Sequence, residues 1–156
     1  MKKGKMYFAN TPWGDLYLDE EFLSYGTLPM VFSLLDCSNR HYLAVCVSFR
    51  RDYEWLLITI ESEDLINLIK DRVTLYQLLT KDDNEKASCM WRESSKIPEY
   101  SSLVKFQETD LPEDMYLELC VGDYEDYINK LESEKKSVHN GAFCKMSGHC
   151  KSTCLV

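Results

Sequence analysis

A chain of 156 residues that is 45% hydrophobic and 28% charged has the size and composition of one globular domain with an ordinary core. Its 26 acidic residues outnumber 18 basic ones, for a net charge of −8. That balance disfavours general nucleic-acid binding and attachment to an anionic membrane, and no apolar run approaches the roughly 18 residues that a membrane span needs.

The opening MKKGKMYFAN has a basic start but no apolar stretch, so it does not read as a secretory signal. Residues 5–9 and 15–18 are short strand candidates around the turn Thr11-Pro12-Trp13-Gly14. A β-rich run from Pro29 to Leu35, a loop at 36–40, a strand from His41 to Phe49, a turn at Arg50-Arg51-Asp52 and a strand from Tyr53 to Ile60 imply an antiparallel meander. In the second of these strands Leu43, Val45, Val47 and Phe49 share one face. Trp55 to Ile60 is apolar at both parities, which predicts a strand covered on both faces.

The apolar period then lengthens to that of a helix. Ser62 is placed to cap a helix with Glu63 and Asp64 in its first turn and Leu65, Ile66, Leu68 and Ile69 as its stripe. Thr74-Leu75-Tyr76-Gln77 is a capping box opening a second short helix with Leu75, Leu78 and Leu79. Residues 80–86 read as a solvated loop. Weaker strands are predicted at 87–93 and 102–108, on either side of a loop at Pro98. Met115 to Val121 alternates apolar and polar residues and predicts another strand. Gly122-Asp123 opens a last helix whose stripe is Tyr124, Tyr127, Ile128 and Leu131, with its end near Lys135.

The expected fold is therefore α+β: a mostly antiparallel meander sheet, a central helix pair packed on it and a C-terminal helix. One domain covers residues 1–135. Residues 136–156 hold no Asp or Glu and form a basic tail with Cys144, Cys150 and Cys154 and with His139 and His149, read as flexible or weakly docked.

The stretch from Tyr25 to Leu79 resembles a family of small, uncharacterised bacterial α+β domains. The residues that carry the likeness are Tyr25-Gly26, Pro29-Met30-Val31-Phe32-Ser33, Tyr42-Leu43-Ala44 and Glu54-Trp55-Leu56, with the helix pair after Ser62. The resemblance implies a domain acting in bacterial or phage cytoplasm. It carries over no catalytic residues and does not reach the tail.

Metal chemistry has one candidate location. Cys144, His149, Cys150 and Cys154 are zinc-ligand types at tolerable spacings, although only Phe143 and Met146 offer apolar support nearby. A docked or disordered tail and a non-native end are the competing readings, so no cofactor is expected. The seven cysteines contain no CxxC pair, form no even framework and read as free thiols in a reducing compartment.

Ser102-x-x-Lys105 matches the spacing of some acyl-transfer enzymes, but a strand places the two on opposite faces and no supporting motif accompanies them. His41 reads as a loop-edge histidine and Cys46 as a core thiol, with a dyad formed in space as the alternative. Carboxylates at Asp19-Glu20-Glu21, Asp82-Asp83 and Glu113-Asp114 fall in predicted loops or turns and read as solvated surface. Trp55 reads as core. Trp13 and Trp91 read first as core or edge packing, with a protein-binding hot spot beside acidic residues as the alternative.

The expected function is a non-enzymatic protein-interaction or regulatory domain, with a protein partner, no nucleic acid and no membrane, accessory to phage–host conflict. Two other classes compete. A small enzyme would assemble its site from His41, Cys46 and loop carboxylates. A small-ligand sensor would be marked by an apolar cavity lined with Tyr and Trp.

Overall fold

The computed structural model describes residues 4–140, with side chains as far as Lys136. Its frame is a seven-stranded antiparallel sheet in strict chain order: β1 (Met6–Thr11), β2 (Gly14–Tyr25), β3 (Leu28–Leu35), β4 (His41–Phe49), β5 (Tyr53–Thr59), β6 (Lys86–Trp91) and β7 (Pro98–Leu103). Each turn is short enough to force an antiparallel neighbour, apart from the helical excursion between β5 and β6. The first turn shows the local chemistry. Thr11 pairs with Gly14 across Pro12-Trp13, the Thr11 hydroxyl donates to the Gly14 carbonyl at 2.6 Å, and Gly14 holds φ at +94°, a value open to glycine.

The sheet buries both faces. Phe22, Val31, Leu43, Val45, Leu56 and Ile58 join α1 (Ser62–Ile69), α2 (Leu75–Leu79), Phe106 and α3 (Glu125–Asn140) in one apolar cluster. Phe8, Leu16, Phe32, Leu34, Tyr42, Ala44, Trp55, Leu57, Ala87 and Cys89 form a second cluster on the opposite face. In that second cluster β1 reaches β5 directly: the rings of Phe8 and Trp55 lie 5.3 Å apart and those of Tyr7 and Trp55 6.2 Å. Strands four places apart in the sheet touch only if it curls, so this face is the concave interior of a nearly closed barrel.

The expected α+β layer with a central helix pair is thus corrected. The molecule is sheet-dominated; α1 has eight residues and α2 five, a short plug between two strands rather than a helical layer. The helical period was genuine, but it lasts only far enough to cover the outer face of β4 and β5. The capping box of α2 is present as expected: the Gln77 N–H donates to Thr74 Oγ1 at 3.1 Å, and the Thr74 N–H to Gln77 Oε1 at 2.9 Å. The cap of α1 is Glu61, with no side-chain hydrogen bond, and Ser62 is its first helical residue.

Three further corrections follow chain order. β2 runs twelve residues through Asp19-Glu20-Glu21, so these acids stand on a strand and not in a loop. β7 begins at Pro98 rather than at 102. Residues 115–121 form no strand. Leu117 and Leu119 pack on the outer cluster while Met115 is 60% exposed, and Glu118 adopts φ +55°, which breaks the extended path. A short 3-10 turn over Val121–Tyr124 then leads into α3, which continues to Asn140 instead of ending near Lys135.

Candidate functional site

The register of the strands gives the barrel two distinct ends. At one end lie the β1–β2 turn, the 36–40 loop and the starts of β4 and β6; at the other lie the β2–β3, β4–β5 and β6–β7 loops. The first end is plugged. The ring of Trp13 sits 5.0 Å from that of Tyr42, the Tyr42 hydroxyl donates to Asp36 Oδ2 at 2.9 Å, and Glu85 accepts from both Trp13 Nε1 at 3.2 Å and Arg40 Nη2 at 3.0 Å.

The other end is open and forms a cleft of about 330 Å³ lined by Tyr7, Leu28, Tyr53, Trp55, Trp91 and Glu93. Strand pairing builds it. Tyr53 and Trp91 are direct cross-strand partners, and Trp55 follows Tyr53 on the same face two residues along. The curl adds Tyr7 from β1. Tyr53 and Trp91 meet at 5.6 Å and 87°, Tyr53 and Trp55 at 5.6 Å and 31°, and Tyr7 and Trp55 at 6.2 Å and 83°. Two of these three ring pairs therefore meet at steep angles, and Tyr53–Trp55 meets at a shallow one. Glu93 lies at the rim, where its N–H donates to Asp52 Oδ1 at 3.1 Å.

The chemistry of the interior is neutral. Burial, with the nearby Cys46 and Glu21, pushes the Tyr7 phenol up to about 12. Burial raises the Cys89 thiol to about 12 and the Cys46 thiol above its usual range. Neither sulfur is a thiolate near neutral pH, so the barrel interior offers no activated nucleophile from these two residues. The arrangement can hold an apolar or cationic group against ring faces; it has no pair poised for proton transfer.

A second feature, a buried polar network, lies on the outer face beneath α3. Asp19 accepts from the Tyr127 hydroxyl at 2.9 Å and from Lys130 Nζ at 3.0 Å. Ser33 Oγ lies 2.8 Å from the Tyr127 hydroxyl, and His41 Nε2 lies 2.6 Å from Glu134 Oε2. His41 Nδ1 is 3.8 Å from Asp19 Oδ2, too long for a hydrogen bond, and is buried without a partner. Burial, reinforced by the Asp19 charge, holds the Tyr127 phenol well above its ordinary pKa. Every partner here ties α3 to β2, β3 or β4, which is the geometry of a lock.

Lys86 is also buried. Its ammonium donates to the Lys81 carbonyl and to Asn84 Oδ1, pinning the loop before β6, and burial lowers its pKa. It contributes to the wall of a cleft of about 480 Å³ with Phe106 and Leu111.

The residues singled out from the sequence fare unevenly. His41 and Cys46 do not form a dyad: His41 faces α3, whereas Cys46 is in the interior cluster and donates to the Ser48 carbonyl at 3.3 Å. Odd spacing along a strand puts them on opposite faces. Ser102 and Lys105 are both exposed, and β7 ends at Leu103, so Lys105 lies in the loop beyond the strand that holds Ser102. Asp82-Asp83 and Glu113-Asp114 are in loops as expected, with Asp114 Oδ1 accepting from the Thr74 hydroxyl at 2.6 Å. Among the described residues no group of three or more His, Cys, Asp or Glu could hold a metal ion. The zinc candidates Cys144, His149, Cys150 and Cys154 lie outside the described residues. Cys46, Cys89 and Cys120 are free thiols, but Cys37 is disulfide-bonded, which corrects the reading of every cysteine as free.

Sequence reading offers Trp91 only as the lesser, protein-binding alternative to packing and does not mark Tyr7, Tyr53 or Leu28; the available signal is the Tyr-x-Trp spacing at 53–55, which places two rings on one strand face. No helix among the described residues is long and apolar enough to cross a membrane. Comparison with family models, with curated proteins and with solved structures returns no match to the chain.

Proposed function

We propose that this chain is a non-enzymatic regulatory domain that recognises a small ligand in the aromatic cleft at the open end of its barrel. The observation that carries the reading is the cleft itself: four aromatic side chains and one leucine around about 330 Å³, with a single carboxylate at the rim. This is the sign by which a sensor differs from a module that presents only a surface. An enzyme built on His41 and Cys46 loses its raw material, because the two side chains lie on opposite faces of the sheet.

A second observation favours a protein partner as well. Tyr25 and Phe49 are both exposed, with their rings 5.4 Å apart, and Leu23 is exposed on the same strand as Tyr25. These residues sit near the open end, at the close of β2 and β4. A partner docking there would read whether the cleft is filled. Bacterial or phage cytoplasm is the proposed setting, and a part in phage–host conflict the proposed context, on the strength of the resemblance over Tyr25 to Leu79. The free thiols Cys46, Cys89 and Cys120 agree with a reducing compartment, whereas the disulfide at Cys37 weighs against it.

Thermal unfolding across a metabolite library tests the reading. A ligand that binds the native state raises Tm, and the shift should vanish in Trp91→Ala. Ligands that stabilise Trp91→Ala as much as the parent protein would move the site elsewhere.

A further inference from the structure

We infer that the ligand of the cleft is a small, free quaternary or N-methylated ammonium compound; this rests on the reading of the cleft as a binding site. Three independent features converge on that chemistry.

The first is the arrangement of ring faces. Trp91 stands at 87° to Tyr53, and Tyr7 at 83° to Trp55, each pair with centroids about 6 Å apart or less (5.6 and 6.2 Å). A cation seated among such walls meets the negative faces of several rings at once, and tryptophan is the strongest of these partners. A flat neutral ring would be better served by two parallel walls, and the Tyr53–Trp55 pair, tilted at 31° and 5.6 Å apart, leaves no slot between them.

The second is charge. The carboxylate on the lining is that of the exposed Glu93, and no lysine or arginine contributes to the lining among the described residues. The neighbouring Arg92 is engaged with Glu99 at 3.2 Å. The net charge of −8 belongs to the whole molecule, and the loops at this mouth hold Arg50, Arg51, Arg92 and Lys96 beside Asp52 and Glu93, so Glu93 is the charged group that favours a cation at the lining itself.

The third is the apolar bulk of the lining, whose polar atoms are the Tyr7 and Tyr53 hydroxyls, the indole N–H groups of Trp91 and of Trp55 (the latter buried without a partner) and the Glu93 carboxylate. Leu28 and the ring carbons supply apolar contact, and the Tyr7 phenol stays protonated. A primary ammonium brings three N–H groups to be satisfied by phenol oxygens and one exposed carboxylate, whereas an N-methylated head has few or none to satisfy. A cleft of about 330 Å³ is at the small end of the range for ligand sites, which suits a free compound more than a peptide.

Calorimetric titration of the full chain tests the inference with three probes: choline, its neutral isostere in which a quaternary carbon replaces the nitrogen, and a trimethyllysine peptide. Choline should bind at least about tenfold more tightly than the isostere. Trp91→Leu keeps apolar volume but removes a ring face, so it should erase that preference while retaining isostere binding; Glu93→Gln should weaken choline about threefold and leave the isostere unchanged. Circular dichroism and Tm establish that each variant folds. Equal affinity for choline and isostere, abolished by Trp91→Ala, overturns the cation inference and leaves the cleft as an apolar site. Binding of neither overturns the inference too, and the metabolite library then judges the cleft separately. Binding of the peptide alone assigns the ammonium to a protein side chain and overturns the free-ligand form.

Discussion

At the scale of single residues, burial decides the chemistry. Cys89 is raised from 9.0 to about 12 by desolvation. Its folded pKa lies above its unfolded one, so its contribution to stability is complete below pH 9.0 and is lost as pH rises toward about 12. Tyr7 acts in the same direction from 10.0 to about 12. Denaturant midpoints measured through this range should fall steadily, and Cys89→Ala should flatten the early part of the decline. In native protein at pH 8, Cys120 should react with iodoacetamide while Cys46 and Cys89 should not, as peptide mapping can show. Asp19 is the other decisive residue. Asp19→Ala leaves the Tyr127 hydroxyl with Ser33 alone and removes the partner of the Lys130 ammonium, and should cost about 3 kcal/mol by denaturant unfolding. Because the lock is on the outer face, ligand affinity at the cleft should be unchanged in that variant. Asp19 could not be recognised from the sequence: it looks like surface charge until β2 is extended through it and its register places it beside Ser33 and beneath α3.

At the scale of elements, short-range signals were sufficient wherever neighbours in sequence are neighbours in space. β3, β4 and β5 fall where alternation and turn residues place them, and the capping box of α2 is present atom for atom. Thr74→Ala should cost about 1 kcal/mol, measured as a shift in denaturant midpoint, because Thr74 caps α2 and also donates to Asp114. Signals failed where an apolar pattern had a different partner from the one assumed. Met115–Val121 alternates, yet among the described residues it pairs with no strand; instead Leu117 and Leu119 pin a loop against the helices, and the Glu118 N–H donates to Asp71 Oδ1 at 3.1 Å. The stripe of α3 was readable because Tyr127, Ile128 and Leu131 follow a helical period and are all buried. Leu131→Ala should destabilise the fold by about 3 kcal/mol, again by denaturant unfolding, since the residue is fully buried between α3 and the outer cluster.

At the scale of the whole molecule, the curl is what sequence reading lacked. Alternation shows that a strand has an inner face, but not that the inner faces of β1 and β5 will meet. That meeting depends on accumulated twist and bulges, and β1–β2 and β2–β3 both show register shifts. Without the curl, Tyr7 and Trp91 belong to distant segments; with it, they line one cleft. The same geometry separates a plugged end, a locked outer face and an open mouth, and so separates stability from recognition. The three tryptophans report on this division, with Trp13 at the plugged end and Trp55 and Trp91 at the open one. The most direct test is a proton–nitrogen correlation spectrum of the indole N–H groups, assigned by single Trp→Phe variants and recorded during titration with choline or with any ligand from the library that raises Tm. The signals of Trp55 and Trp91 should move in step with saturation while that of Trp13 stays fixed. Movement of Trp13 alone, or saturable binding with all three indoles unmoved, would contradict the assignment of the aromatic cleft as the recognition site.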